Sequence, residues 1–470
     1  MHNVLRRVVL LLSIVIFFTN CSSSEEKVQK LLSDISSQTE FNGLVYVENG
    51  NEVLYNDKLI SSDGALNAIE GDSRNYLASL TKLFTEITVV KLVEEGKLNL
   101  NSTISNYREN FQPSYGKVLT LENLLKMSSG LPRELNGDNL TNSLKLDDKG
   151  FAGAFLDTIP DMELSFQPGS NYEYSNLNYW LLGAVVEEVT GLNLDQAYAK
   201  YIFDPLKMNN SGYFLQEGNS INGYNKDNGK WKLDKTDYKS RYASGGAYAS
   251  LQDLVKLSKA LKGTAFLNDT SLSYLYGEDQ TIEVYGSLPS YTNMIYINRK
   301  EDVTLIVLNN IGVPDLNKMS DIKNGVEQAL GIASQKKQSP KKKITLTNIS
   351  ALNDSIPIEK AMKDWAIAIL EADKNKMLNI FNNNAAKNGL MDMNDPTWDE
   401  LVRIKNEWPN LKIYGYRWVE DQNPKGIELW LHCDGDQRIA LQWVMENKRG
   451  KVEALFIKPD NMTWLGQEFK

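Results

Sequence analysis

The segment Leu77-Ala78-Ser79-Leu80-Thr81-Lys82-Leu83-Phe84-Thr85 joins a chemical pattern to a structural one. From Ser79 to Glu95 the apolar residues Leu80, Leu83, Phe84, Ile87, Val90 and Leu92 recur at helical spacing, and Gly96 follows as a stop. That spacing predicts a helix of about four turns with one apolar face. Ser79 and Lys82 stand one turn apart at its start, an S-x-x-K pattern. A serine hydroxyl is a poor nucleophile at neutral pH. A helix N-terminus favours the negative charge it develops, and an amine one turn away can take its proton. Burial beside other cations would lower the lysine pKa toward that task. The same pattern occurs at Ser24 with Lys27, Ser320 with Lys323, Ser334 with Lys337 and Ser339 with Lys342. Only Ser79 opens a strongly apolar helix after a predicted hairpin, in which Leu44, Tyr46 and Val53, Tyr55 alternate on either side of Asn49-Gly50.

The scarcest residues narrow the chemistry. The chain has two histidines, His2 and His432, and two cysteines, Cys21 and Cys433, so no clustered zinc site can be built from His and Cys. A Ser-His-Asp triad would need His432, near the C-terminus. A nucleophilic serine here is therefore expected to rely on lysine or tyrosine, with no metal and no organic cofactor. Lys plus Arg number 51 against 60 Asp plus Glu, a formal charge of -9, which leaves no basic surplus for a nucleic-acid partner.

A second element is Tyr174-Ser175-Asn176, set in Pro168-Gly169-Ser170-Asn171-Tyr172-Glu173-Tyr174-Ser175-Asn176-Leu177-Asn178-Tyr179. Between the two lies Leu124-Leu125-Lys126-Met127-Ser128-Ser129-Gly130-Leu131-Pro132, and beyond them Asp204-Pro205-Leu206-Lys207-Met208 and Ser244-Gly245-Gly246-Ala247-Tyr248-Ala249-Ser250-Leu251-Gln252-Asp253-Leu254. In this order, over about residues 38–332, the segments resemble the serine beta-lactamase and penicillin-binding-protein-like superfamily, most nearly its class C-like branch of esterases and D-amino-acid peptidases. The resemblance implies a mixed α+β fold, an antiparallel sheet flanked by helices with a helical insertion. It further implies Ser79 as the acylated nucleophile, Lys82 as its proton acceptor or electrostatic partner, Tyr174 as the base that activates water, and Asn176 as an orienting group. The oxyanion hole would combine the backbone N–H of Ser79 with one from the strand near Gly286 and Ser287.

The pattern breaks at the family's third motif, Lys-Ser/Thr-Gly or His-x-Gly. Val284-Tyr285-Gly286, leading into Ser287-Leu288-Pro289-Ser290, is the best candidate, and its cation is missing. Met127 likewise stands where many relatives carry histidine. A cation at position 284 would lower the Tyr174 pKa and bind a substrate carboxylate, so Val284 weakens both effects. Two readings follow: a serine hydrolase acting on an ester or amide, or a degraded site in a lipoprotein that binds an envelope glycan, peptide or protein.

Hydrophobic residues at 42% and charged residues at 24% match an ordinary globular chain, and 470 residues suggest more than one folded unit. Arg6 and Arg7 precede an apolar run from Val8 to Phe18, which ends at Cys21. This resembles a bacterial lipoprotein signal over residues 1–20, with Cys21 lipidated and the protein held on the cell-envelope membrane. A polar tether over 21–37 leads to the hydrolase-like domain, 38–332, where Met294–Asn298 and Thr304–Leu308 read as strands and Val326–Leu330 as a closing helix. A Lys-rich linker spans 333–350. Residues 351–470 predict a small α+β domain: a helix marked by Ile358, Met362, Trp365, Ile369 and Leu370, then strands Gly426–Cys433, Arg438–Met445 and Val452–Ile457 with turns at Asp434-Gly435 and Arg449-Gly450. A long helix followed by a curved sheet resembles the NTF2-like cone fold.

Overall fold

A computed structural model describes residues 22–61, 66, 69–133, 151–213, 222–227, 230–236, 238–312, 316–332, 348–385, 398, 401–402, 405–406, 411–419, 426–432, 438–445 and 452–459. The lipoprotein signal with Cys21, residues 333–347 of the linker, and the turns containing Cys433, Asp434-Gly435 and Arg449-Gly450 lie outside the described residues. The chain forms two compact units, Met1–Ser334 and Gln335–Lys470.

The first unit is built on a five-stranded antiparallel sheet, with strands β1 (Asn42–Asn49), β2 (Glu52–Ile60), β3 (Thr281–Leu288), β4 (Tyr291–Asn298) and β5 (Val303–Asn309) in the order β2-β1-β5-β4-β3. Its two chain ends meet directly, Tyr46 opposite Ile306 and Leu44 opposite Leu308. The central strands β1, β4 and β5 are buried almost throughout, as expected of strands covered on both faces. Alternation along them feeds two cores. Val45, Val47, Met294, Leu305 and Val307 face helices α1 (Ser24–Gln38) and α6 (Leu316–Ala329) through Val28, Leu32, Met319, Ile322 and Val326. Leu44, Ile295, Ile297, Ile306 and Leu308 face the helical body, which includes α2 (Thr81–Glu94), α3 (Leu121–Leu125), α4 (Asn176–Thr190) and α5 (Leu251–Lys262).

The structure departs from the sequence reading in three places. The polar tether is helix α1: Ser23 and Glu26 close a capping box at its start, and Val28 and Leu32 are fully buried against the sheet. Val28, Leu31, Leu32 and Ile35 stand at helical spacing and pack in one core, a signal that a reading of the run by its serines and charges passes over. The helix expected from Ser79 begins instead as a 3-10 turn, Ala78–Leu80, and becomes α-helical at Thr81. Ala78 ahead of Ser79 has φ 52°, a left-handed conformation that alanine seldom adopts. Finally, α2 has no single apolar face. Thr81, Lys82, Thr85 and Thr88 are buried along with Leu83, Phe84, Ile87, Val89, Val90 and Leu92, making this a helix enclosed on nearly all sides.

The second unit carries α7 (Pro357–Leu370) and α8 (Lys374–Asn384), then a four-stranded antiparallel meander of β6 (Lys412–Val419), β7 (Gly426–His432), β8 (Arg438–Met445) and β9 (Val452–Pro459). Helix α8 is an addition to the sequence reading, and β6 makes a fourth strand where at least three were expected. Trp365, Phe381, Trp398 and Trp443 form an aromatic core there, with Trp365 and Trp443 rings 5.0 Å apart.

Candidate active site

The Ser79 turn is held from two sides. Leu77 donates its N–H to the Ala247 carbonyl (3.0 Å), and Ala247 donates its own to the Thr81 hydroxyl (3.0 Å), tying the turn to the short strand Ala247–Ala249. Strand β3 closes the other side at Gly286, where an added Cβ would stand 2.2 Å from the Leu77 carbonyl oxygen and 3.2 Å from Ala78 Cβ. Only glycine lets the strand approach that closely. The left-handed Ala78 is thus fixed by its surroundings rather than by its own preference.

Lys82, only 4% exposed, projects from the first turn of α2 back toward Ser79. Its Nζ donates to Ser79 Oγ (3.1 Å) and to the Ser244 carbonyl (2.8 Å). Tyr174 reaches the same oxygen from the segment ahead of α4, its hydroxyl 2.9 Å from Ser79 Oγ. Serine, lysine and tyrosine from two stretches of chain therefore converge on one hydroxyl. Two cations lie over the Tyr174 ring, Lys82 Nζ and Arg133 Cζ, each 5.1 Å from its centroid. Cations so placed favour the ionised phenol.

Asn176 opens α4, its N–H donating to the Arg133 carbonyl (2.9 Å). Gly286 packs on the Ser79 turn, and Ser287 is the next residue of β3, opposite Thr292. Val284 shares the face of Ile282 and Gly286, and its partly buried side chain packs against the core beneath the site. Among the described residues no group of three or more His, Cys, Asp or Glu could hold a metal ion, and no helix is long and apolar enough to cross a membrane.

Several contributors have roles that the motifs do not reveal. Met127, at φ 51°, is buried, and its sulfur accepts from the Ser175 N–H (3.5 Å) and from Asn178 Nδ2 (3.3 Å), which anchors the start of α4 beside Tyr174. Ser129 and Ser175 complete that anchor, Ser129 Oγ donating to Asn178 Oδ1 (2.6 Å) and Ser175 Oγ to the Pro132 carbonyl (2.6 Å). Ser244 presents its carbonyl to Lys82 while its hydroxyl accepts from Trp180 Nε1 (3.1 Å). Glu86, one turn beyond Lys82, accepts a short hydrogen bond from the Tyr179 hydroxyl. Burial pushes its carboxyl up to about 7, against the opposing pull of that bond and of Lys82.

A family model described as Beta-lactamase matches residues 28–289. The chain belongs to the beta-lactamase family. Among curated proteins it is 27% identical over 306 residues to Protein flp of Staphylococcus aureus (strain MRSA252), a match covering 57% of this chain and 58% of that protein. The chain thus spans less than two thirds of that relative. Among solved structures it is similar to EstCE1, a hydrolase with promiscuous acyltransferase activity (17% identity, TM-score 0.55, 65% of this chain and 100% of that one). It is also similar to D-amino acid amidase from Ochrobactrum anthropi SV3 (19% identity, TM-score 0.55, 66% of this chain and 99% of that one). The beta-lactamase and penicillin-binding-protein-like fold expected from the ordered motifs is the fold of the first unit.

Proposed function

We propose that the first unit is a serine hydrolase that cleaves an ester or amide through an acyl-enzyme on Ser79. The convergence of Lys82 Nζ and the Tyr174 hydroxyl on Ser79 Oγ, at 3.1 and 2.9 Å, carries this reading. In the proposed mechanism Ser79 Oγ attacks the carbonyl carbon as its proton passes to Tyr174. Lys82 acts as the electrostatic partner that favours the Tyr174 phenolate. Tyr174 returns the proton to the departing alcohol or amine. It then takes one from the water that cleaves the acyl ester, and that proton restores Ser79. The negative oxygen of each tetrahedral intermediate would rest on the backbone N–H of Ser79 and one near Ser287.

Substrate choice follows from the third motif. Val284 offers no cation on the strand beside Gly286, so the preferred substrates lack a carboxylate next to the scissile bond, unlike penicillins. Arg133 on the Tyr174 face supports the base in place of the missing cation. Fold neighbours that carry the names of a hydrolase with acyltransferase activity and of an amidase agree with an ester or amide substrate. No observation favours the alternative of a binding protein without turnover.

The chain is further proposed to be exported and anchored at Cys21 to a bacterial envelope membrane, by the basic and apolar pattern of residues 1–20. Loss of fatty-acid labelling in Cys21→Ala is the expected result. For the second unit a cone-like NTF2 character is supported by a helix pair preceding a four-stranded antiparallel sheet. The activity is tested by turnover of p-nitrophenyl esters and amides by the wild type and Ser79→Ala. Turnover confined to the wild type is expected, and equal turnover in both would overturn the mechanism.

A further inference from the structure

Beneath the reacting groups lies an acid that the proposed mechanism does not use. Ser79, Lys82 and Glu86 follow one another along a single side of the chain, Lys82 and Glu86 four residues apart on α2. Tyr179 of α4 closes the space between them: its hydroxyl donates to Glu86 Oε1, and Lys82 Nζ lies over its ring, 5.5 Å from the centroid. The Leu125 carbonyl at the end of α3 stands 3.4 Å from the same hydroxyl. Lys82 from α2 and Tyr179 from α4 are the titratable groups that act on Glu86, and Tyr174 and Tyr172 act in turn on Tyr179.

This arrangement gives Lys82 a charge partner that does not compete for its hydrogen bonds. Nζ already donates to Ser79 Oγ and the Ser244 carbonyl. A carboxylate in direct contact would draw it from the serine, whereas one held at the Tyr179 hydroxyl favours the ammonium form without moving it. A buried ammonium needs such compensation, because removal from water disfavours the charge. We propose that Glu86 is a positioning residue whose carboxylate keeps Lys82 protonated, and through Lys82 sustains the Tyr174 phenolate that takes the Ser79 proton. The inference rests on the hydrolase reading for its catalytic consequence, but not for its electrostatic core.

Burial raises its carboxyl to about 7 while Lys82 pulls it down. The test is Glu86→Gln in the full chain, which keeps an acceptor for Tyr179 and removes only the charge. Lys82 Nζ is titrated by 15N NMR in wild type and variant, assigned through Lys82→Arg, alongside pH–rate profiles on a neutral p-nitrophenyl ester. A fall in the Lys82 pKa by about one unit or more is expected, with the basic limb of the profile moving to lower pH and substrate KM unchanged. An unaltered Lys82 titration overturns the proposal, whatever the turnover. A shifted titration in a protein without esterase turnover upholds the electrostatic pairing and removes the hydrolase reading instead.

Discussion

Gly286→Ala separates the geometry of the Ser79 turn from the stability of the fold. The new Cβ would lie 2.2 Å from the Leu77 carbonyl oxygen and 3.0 Å from Leu80 Cδ1. Carbon and carbonyl oxygen approach to about 3.3 Å, so strand and turn must part by about 1 Å. Overpacking of this kind costs about 1–3 kcal/mol of stability. The same displacement moves Ser79 relative to β3, whose backbone would hold the developing oxyanion, and a shift of about 1 Å costs about 100-fold in rate, or about 2.7 kcal/mol of barrier. Activity should therefore fall by about two orders of magnitude while the protein stays folded with a melting temperature lower by a few degrees. Glu283→Ala is the control, since this exposed side chain on the same strand pairs with Lys323 and points away from the turn. The assay is kcat/KM on a p-nitrophenyl ester, with circular dichroism and thermal melts on the same samples. A variant that retains kcat/KM within about threefold of wild type would refute the claim that close contact between β3 and the turn assembles the site.

Tyr174→Phe removes the proposed base without changing ring packing, and kcat/KM should fall by about 10²–10⁴ with the melting temperature unchanged. Arg133→Ala removes one of two cations over that ring, so the acid limb of the pH–rate profile should move to higher pH. For Glu86 the sign of the stability effect is fixed: a carboxyl at about 7 in the folded chain and 4.5 unfolded holds its proton more tightly when folded. Stability should therefore decline as pH rises from 4.5 through 7, by up to about 3 kcal/mol. Glu86→Gln should be at least as stable as wild type at pH 8 in urea melts, and a variant less stable there would contradict the buried charge.

The candidate site was partly legible because its groups are local in sequence. Ser79 and Lys82 are one turn apart, and Tyr174 follows a Pro-Gly turn, so short patterns expose them even though their meeting at Ser79 Oγ joins distant segments. The family was legible from the order of those segments rather than from any one of them. What stayed hidden depends on tertiary contact. Ser244 serves Lys82 through a backbone carbonyl, which any residue could supply. Met127 reads in the sequence as a replaced histidine, and only its neighbours show that its sulfur accepts two N–H groups. Glu86 is one of 60 acids, and only the folded chain encloses it against Tyr179. Helix α1 was legible in principle, since Val28, Leu31, Leu32 and Ile35 keep helical spacing behind the Ser23 and Glu26 capping box, but a reading by polar composition hides that period.

The most direct measurement is the intact mass of the purified protein after exposure to a fluorophosphonate, a p-nitrophenyl ester and a penicillin, with peptide mapping and with Ser79→Ala treated in parallel. An adduct from the phosphonate or the ester is expected on Ser79, absent in Ser79→Ala, with little or none from the penicillin. A folded wild-type protein that takes no adduct from any of the three, or takes it at a residue other than Ser79, would contradict the mechanism.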